Sequence, residues 1–327
     1  MPFSFKRNLI ILVPALLSLL TGCAVTSMEY EPVKAGAPAD LAAMVSSLES
    51  TPKGPIRFRK IVAADWAVAR DGLINFEHPE ALKAGLEEGL EPIQIYFYAI
   101  EHPQHGLFLV DTGMAAIFAE ESDNWPVSSL VKSAMNMDKL QVRVTTKNWL
   151  EQNGSPRGVF LTHMHLDHIL GSRDIDKSVP FYIGPDESTY GAFMNMFVQG
   201  TTDDVLGTDR KLQELRFPTP GANPSVAAAD DPQKGRMRIL DFFGDGSFYA
   251  IHVPGHTAGS MAFIVRSTEG LQLIVGDTCH TAWGWKHNVP PGSFTMDQEG
   301  NAHSLDALQS LVQELPGLRI HLGHQSL

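Results

Sequence analysis

Cysteine is scarce: the 327 residues contain two, Cys23 and Cys279. A disulfide framework is excluded, and stability must come from a buried core. Basic runs are also lacking. Lys and Arg number 25 against 37 Asp and Glu, for a formal net charge of −12, and no stretch concentrates the cations. A polyanion-binding surface needs such a patch, so nucleic acid is not an expected partner. No apolar run reaches the roughly 20 residues that a membrane-spanning helix requires. No Gly-x-Ser-x-Gly frames a serine nucleophile, and Ser260 stands outside any such context. No repeat with a period of about 20 to 50 residues is present, which excludes solenoids and propellers. What remains is a chain of 43% hydrophobic content, ordinary for a globular protein and long enough for one large α/β domain.

The N-terminus has the order of a secretory signal: Lys6 and Arg7, an apolar run over residues 9–20 broken by Pro14, then Leu20-Thr21-Gly22-Cys23. Residues 1–22 are therefore an address rather than part of the fold. The tetrad resembles a bacterial lipobox, in which the chain is cut ahead of the cysteine and the cysteine is acylated. That resemblance implies a lipid on Cys23, and Ala24 after it implies an outer-membrane lipoprotein facing the periplasm. Loss of Lys6 and Arg7 leaves the mature chain more acidic. Residues 23–55, rich in Ala, Pro, Ser and Gly with a helix-like stretch at 40–48, read as a lipidated tether. Residues 56–327 read as the folded domain.

Within that domain short apolar strands alternate with helical segments. Strand patterns occupy residues 93–99, 107–110 and 159–161, each bounded by Gly, Pro or Asn. The clearest helix covers residues 304–315, with Leu305, Leu308, Leu311, Val312 and Leu315 on one face and Pro316-Gly317 as its stop. Mixed strands and helices indicate a layered α/β or α+β domain.

Chemistry concentrates just past the strand at 159–161. Thr162-His163-Met164-His165-Leu166-Asp167-His168 sets four metal-capable side chains within six residues. Imidazole and carboxylate suit zinc and similar first-row ions, and a loop at a strand end can turn them inward together. Three further motifs each place one ligand type beyond a strand pattern with Gly beside it: Pro254-Gly255-His256-Thr257, Gly276-Asp277 and Gly323-His324.

These motifs, with Leu109-Val110-Asp111-Thr112-Gly113 ahead of them, resemble the metallo-β-lactamase superfamily from about Ile56 to the C-terminus. The resemblance implies a four-layer αβ/βα sandwich with two divalent metal ions at one edge of its paired sheets, zinc being the expected metal. It implies that His163, His165 and His256 hold one ion, that Asp167, His168 and His324 hold the other, and that Asp277 bridges them. Asp111 would orient ligands without binding metal. A metal-bridging hydroxide would attack a carbonyl, and Asp167 would pass a proton to the leaving group.

Within the superfamily the layout is most similar to the N-acyl homoserine lactone lactonases, through Asp111-Thr112-Gly113-Met114, His252 ahead of His256, and Asn288-Val289-Pro290. The implied partner is a small cyclic or linear ester, such as an acyl lactone. Those lactonases carry a Tyr three residues after the bridging Asp; here His280 stands there, and its imidazole can donate the same hydrogen bond to substrate. A periplasmic lactamase-type amide hydrolase and a non-catalytic metal-bearing binding lipoprotein are the alternatives. Trp283 and Trp285 are expected in the pocket, and residues 190–197 are expected as a core helix before an acyl-chain wall. His78, His102, His105, His287 and His303 read as surface or loop residues, His321 as facing away from the site, and Cys279 as a small buried hydrophobe.

Overall fold

A computed structural model describes residues 23–192, 194–217 and 237–327. Residues 1–22, expected as a signal, and Phe193 lie outside the described residues. In chain order the strands are β1 (Tyr30–Val33), β2 (Ala37–Ala39), β3 (Arg57–Ala69), β4 (Leu90–His102), β5 (Gly106–Val110), β6 (Gln141–Val142) and β7 (Val159–Phe160). There follow β8 (Phe181–Ile183), β9 (Leu212–Leu215), β10 (Arg238–Asp241), β11 (Phe248–His252), β12 (Met261–Ser267), β13 (Gly270–Ile274) and β14 (Arg319–His321). They form one sheet in the order β1-β9-β8-β7-β5-β4-β3-β6 and a second in the order β14-β13-β12-β11-β10-β2.

The two-residue period of the strands explains why these sheets stack. Along β4, Ile93, Ile95, Phe97 and Ala99 point to one apolar cluster, while Tyr96, Tyr98 and Ile100 point to another. On β11 and β12, Phe248, Ala250, Met261, Phe263 and Val265 meet that second set, and Tyr249, Ile251, Ala262 and Ile264 face away from it. A shared inner core thus lies between the sheets, and each outer face is covered by helices. Trp149 and Val205 cap the first sheet; Leu305, Leu308 and Leu311 of the helix Gln298–Glu314 and Met44 of the helix Leu41–Ser50 cap the second. Four layers result, as expected.

Two boundaries differ from expectation. The last helix begins at Gln298, nearly two turns before residue 304, because polar side chains face inward there: Asn301 Nδ2 donates to Thr278 O at 3.0 Å and Ser304 Oγ to Pro254 O at 2.7 Å. The apolar pattern could not register those turns. The larger correction concerns residues 23–55, expected as a tether. β1 pairs in parallel with β9, β2 pairs antiparallel with β10, and the helix Leu41–Ser50 buries Met44 and Leu48. Its Ala- and Ser-rich composition masked short edge strands, which complete both sheets.

The inner core carries the cost of disruption. Phe263 is fully buried, stacked on Phe248 with centroids 5.4 Å apart and against Phe160 at 5.7 Å. Phe263→Ala should destabilise the fold by about 3 to 5 kcal/mol through lost burial and the cavity left behind. Urea denaturation checks this, and a change below about 1 kcal/mol would mean the sheets close over the gap.

Candidate metal centre

The strand directions bring the motifs together. β5 and β7 run parallel, and β11, β13 and β14 share one direction, so the segments after all five emerge at one edge of the sandwich. His163 and His165 follow β7, and Asp167 and His168 sit on the single turn Leu166–Ile169. His256 follows β11, Asp277 follows β13 and His324 follows β14. Every candidate ligand named from the sequence reaches this edge.

Their ligand atoms form two groups, one of His163, His165 and His256 and one of Asp167, His168, Asp277 and His324, each within 4.8 Å. Asp277 Oδ2 lies between them. It is 3.7 Å from His163 Nε2 and 3.6 Å from His256 Nε2 on one side, and 3.3 Å from His168 Nε2 and 3.2 Å from His324 Nε2 on the other. His324 Nε2 is also 3.1 Å from Asp167 Oδ2. Gly323 permits this approach, since a Cβ there would fall 2.2 Å from Asp277 Oδ1.

The donor set fits divalent metal. His163 Nε2 and Asp277 Oδ1 are buried without any hydrogen-bond partner, a costly state that coordination would relieve. Burial holds His163 and His256 well below the usual imidazole range and His165 down at about 4, so all three keep a lone pair for a cation. On the other side burial opposes charge, yet the Asp277 and Asp167 carboxylates overcome it and raise His324 to about 10. His168 is raised likewise. Burial would raise the two carboxyls, but the imidazoles outweigh it: His324, His280 and His168 hold Asp277 well below the usual carboxylate range, and His168 and His324 do so for Asp167. Protons there supply the positive charge that an ion would replace.

Two carboxylates brace the ligand loops. Asp111, at a left-handed φ of 57°, accepts from Thr162 N at 2.8 Å, and its Oδ2 lies 2.9 Å from His168 Nδ1. That fixes the ring so that Nε2 faces the centre, the orienting role expected of it. Glu187 was not singled out from the sequence. It is fully buried and accepts from Met164 N at 2.6 Å, Thr257 Oγ1 at 2.6 Å and Gly259 N at 2.9 Å, tying the His163–His165 loop to the His256 loop. Burial pushes its carboxyl up to about 7. A lone acidic residue after a strand carries no sequence signal for this role.

His280 is buried in the cluster, but its ring is turned to the protein. Nε2 is 2.9 Å from Asp277 Oδ2 and Nδ1 is 3.3 Å from Leu73 O, so both nitrogens face acceptors of the chain itself. It groups with His256 and Asp277 as a possible ligand set. His321 bonds Gln272 and packs on Phe58, away from the centre, and Cys279 is buried among apolar side chains, both as expected. His102 departs from the surface reading: it is buried, with Nε2 2.9 Å from Asp245 Oδ2 and Nδ1 accepting from two backbone amides of its own turn.

The centre opens into a cavity of about 600 Å³ lined by Trp66, Val68, Leu73, Met164, Tyr190 and Met194 among others. Trp283 and Trp285 do not line it. Trp283 stacks on His287 and Trp285 packs on the outer helical layer, because the chain after Asp277 turns into the helix Ala282–His287 and carries both away. Within residues 190–197, expected first as a core helix, Tyr190, Ala192, Met194 and Asn195 line the cavity, and Val198 beside them does too. Beyond the metal-centre residues, no lining side chain among the described residues bears a charge.

Comparison with known proteins agrees with this geometry. Residues 90–324 match the model of the Metallo-beta-lactamase superfamily. The chain belongs to that superfamily. It is 26% identical over 208 residues to gamma-lactamase FDB1 of Fusarium pseudograminearum, covering 57% of this chain and 45% of that one. It is also 26% identical over 251 residues to N-acyl homoserine lactonase AttM of Rhizobium johnstonii, covering 71% of this chain and 82% of that one. The chain thus spans under half the length of the first relative and about four fifths of the second. A mutant of B. thuringiensis AiiA, with N-decanoyl-L-homoserine bound at its active site, shares the fold with a TM-score of 0.55 at 16% identity over 82% of this chain and 92% of that one. The hydrolase AbOPH does so with a TM-score of 0.51 at 13% identity, over 90% and 91%.

Glu187→Ala should leave the fold intact but loosen both ligand loops, lowering metal affinity about 10- to 100-fold, the usual scale for a group that holds ligands in place. Competition with a chromogenic chelator measures it. Unchanged affinity would reduce Glu187 to a packing residue.

Proposed function

We propose that this member of the superfamily is a binuclear metal-dependent hydrolase acting on a neutral ester, in particular a lactone carrying an acyl chain. The observation that supports this most is the pairing of the seven-residue ligand cluster with an uncharged, largely apolar cavity. A substrate bearing carboxylates, such as a glutathione thioester or a β-lactam, would meet no cation on that wall among the described residues. An acyl chain would meet Met194, Val198 and Trp66.

His163, His165 and His256 would hold one ion and Asp167, His168 and His324 the other, with Asp277 shared. Ions bound there would supply Lewis acidity and an activated water at neutral pH, zinc being the metal that the donors suit best. The chain's own groups do the rest. Asp167 lines the cavity and can carry a proton on its carboxylate to the leaving oxygen. His280 holds Asp277 in place from the cavity side, and its distance to Asp277 supports that role ahead of a direct bond to substrate. Val68, Leu73 and Ile93 keep the reacting carbonyl out of bulk water.

A cyclic amide is the second reading, favoured by the likeness to gamma-lactamase FDB1. Metal-replete protein should open acyl lactones faster than γ-lactams, β-lactams or aryl esters, with two ions bound per chain. Turnover of lactams alone would select the second reading, and no turnover of any class would leave a binding protein. Asp167→Asn should fold normally and slow hydrolysis on the order of 10²-fold, because an amide keeps the shape but carries no proton. A wild-type rate would place proton transfer elsewhere.

The N-terminal reading belongs to the same proposal. Cys23 would be acylated and hold the enzyme on the outer membrane, facing the periplasm. Cys23→Ser should move the full-length protein from the membrane fraction to the soluble one, and a variant that stays with the membrane would sink the lipid assignment.

A further inference from the structure

The residues after Cys23 leave no slack between the proposed anchor and the metal cavity. Cys23 O accepts from Asn195 Nδ2 at 2.9 Å and from Ala192 N at 3.2 Å, and both of those residues line the cavity. Gln199 Nε2 donates to Ala24 O at 2.8 Å. Val25 is buried and lines the cavity itself. Asp203 then accepts from Thr26 Oγ1 and, at 2.6 Å, from Ser27 Oγ. The segment is laced along the helix Asn195–Leu206, so an acyl group on Cys23 would emerge from the wall of the cavity.

The rim nearby is apolar and exposed. Met194, Phe294 and Met296 line the cavity and are 62%, 41% and 45% exposed. They come from two separate segments, the start of the helix Asn195–Leu206 and the loop ahead of the helix Gln298–Glu314. Phe294 is seated over Gly72, where any Cβ would fall 2.3 Å from its ring. Large apolar side chains grouped at an uncharged mouth mark a contact with something apolar, and the anchor names the apolar phase within reach. The charge agrees: a chain of net charge −12 with no cation among the described residues lining this mouth would approach a bilayer by burying apolar surface, not by attraction to anionic headgroups.

We infer that the mouth of the metal cavity lies against the lipid bilayer, with Met194, Phe294 and Met296 in its surface, and that a neutral acyl-chain ester or lactone enters the cavity from the membrane. The orientation rests on acylation of Cys23 and the substrate on the hydrolase reading above. A long acyl chain dissolved in the bilayer would then reach the metals without crossing water.

The test uses the mature protein lipidated on Cys23 in phosphatidylcholine vesicles, with bromine on the acyl chains or without it, and reads tryptophan fluorescence. Met194→Trp and Met296→Trp, on the two separate rim segments, should each lose most of their added emission in the brominated vesicles. Glu269→Trp, on the β12–β13 turn at the opposite end of the strands, should lose none. The quenching should persist at high salt, which would screen a headgroup attraction. Rim positions quenched no more than Glu269→Trp would overturn the inference, as when a second copy of the chain covers the rim instead. Protein that fails to co-float with the vesicles would overturn it as well. Hydrolysis is not read in either measurement, so these outcomes are separate from those of the substrate screen.

Discussion

One buried oxygen organises this molecule. Asp277 Oδ2 has five imidazole nitrogens within 3.7 Å, from His163, His168, His256, His280 and His324. Such an assembly is unfavourable unless charge and hydrogen bonding close around it, because each buried polar group has lost its water. The arrangement divides the cost. Three imidazoles are kept neutral by burial, while His168 and His324 hold protons against two carboxylates. A pair of divalent ions would replace those protons with fixed charge and would give the unpartnered His163 Nε2 and Asp277 Oδ1 their contacts.

A cluster of this kind can only exist where rigid elements converge, and the sandwich supplies them. Four strands deliver the candidate ligand loops to one edge, and the phenylalanine-rich core between the sheets sets their spacing. Asp111 and Glu187 then tie loop to loop, the first across β5 and β7, the second between the His163 and His256 loops. Both are carboxylates bonded to backbone amides, which is a strong and directional way to fix a loop. Fold and site are therefore one construction.

How much of this could be read from the residues depended on whether a signal was local. The His and Asp ligands stand in dense motifs beside strands, so their convergence was legible position by position. The four layers followed from the same motifs by resemblance. Glu187 was invisible because its three partners lie at Met164, Thr257 and Gly259, distant in sequence. Trp283 and Trp285 were misplaced because nearness in sequence to Asp277 was taken for nearness in space, and an intervening helix turns them away. Residues 23–55 read as a tether because composition reports the cost of ordering a chain and not the sheet edges waiting for it.

That last misreading alters what the pocket means. A flexible tether of some thirty residues would let the enzyme sample the periplasm and would make the anchor irrelevant to substrate. Instead the chain from Cys23 to Ser27 is bonded along the helix that walls the cavity, and edge strands immediately downstream lock it to both sheets. Were Cys23 acylated as proposed, the same segment would set both attachment and substrate entry. An enzyme anchored in that way would have its search for substrate confined to a surface, where neutral molecules with acyl chains would be enriched. The cavity wall, uncharged among the described residues beyond the metal-centre groups, and the exposed methionines at its mouth suit that class. Selection would be made first by partition into the bilayer and only then by the fit of a ring or ester to the metals.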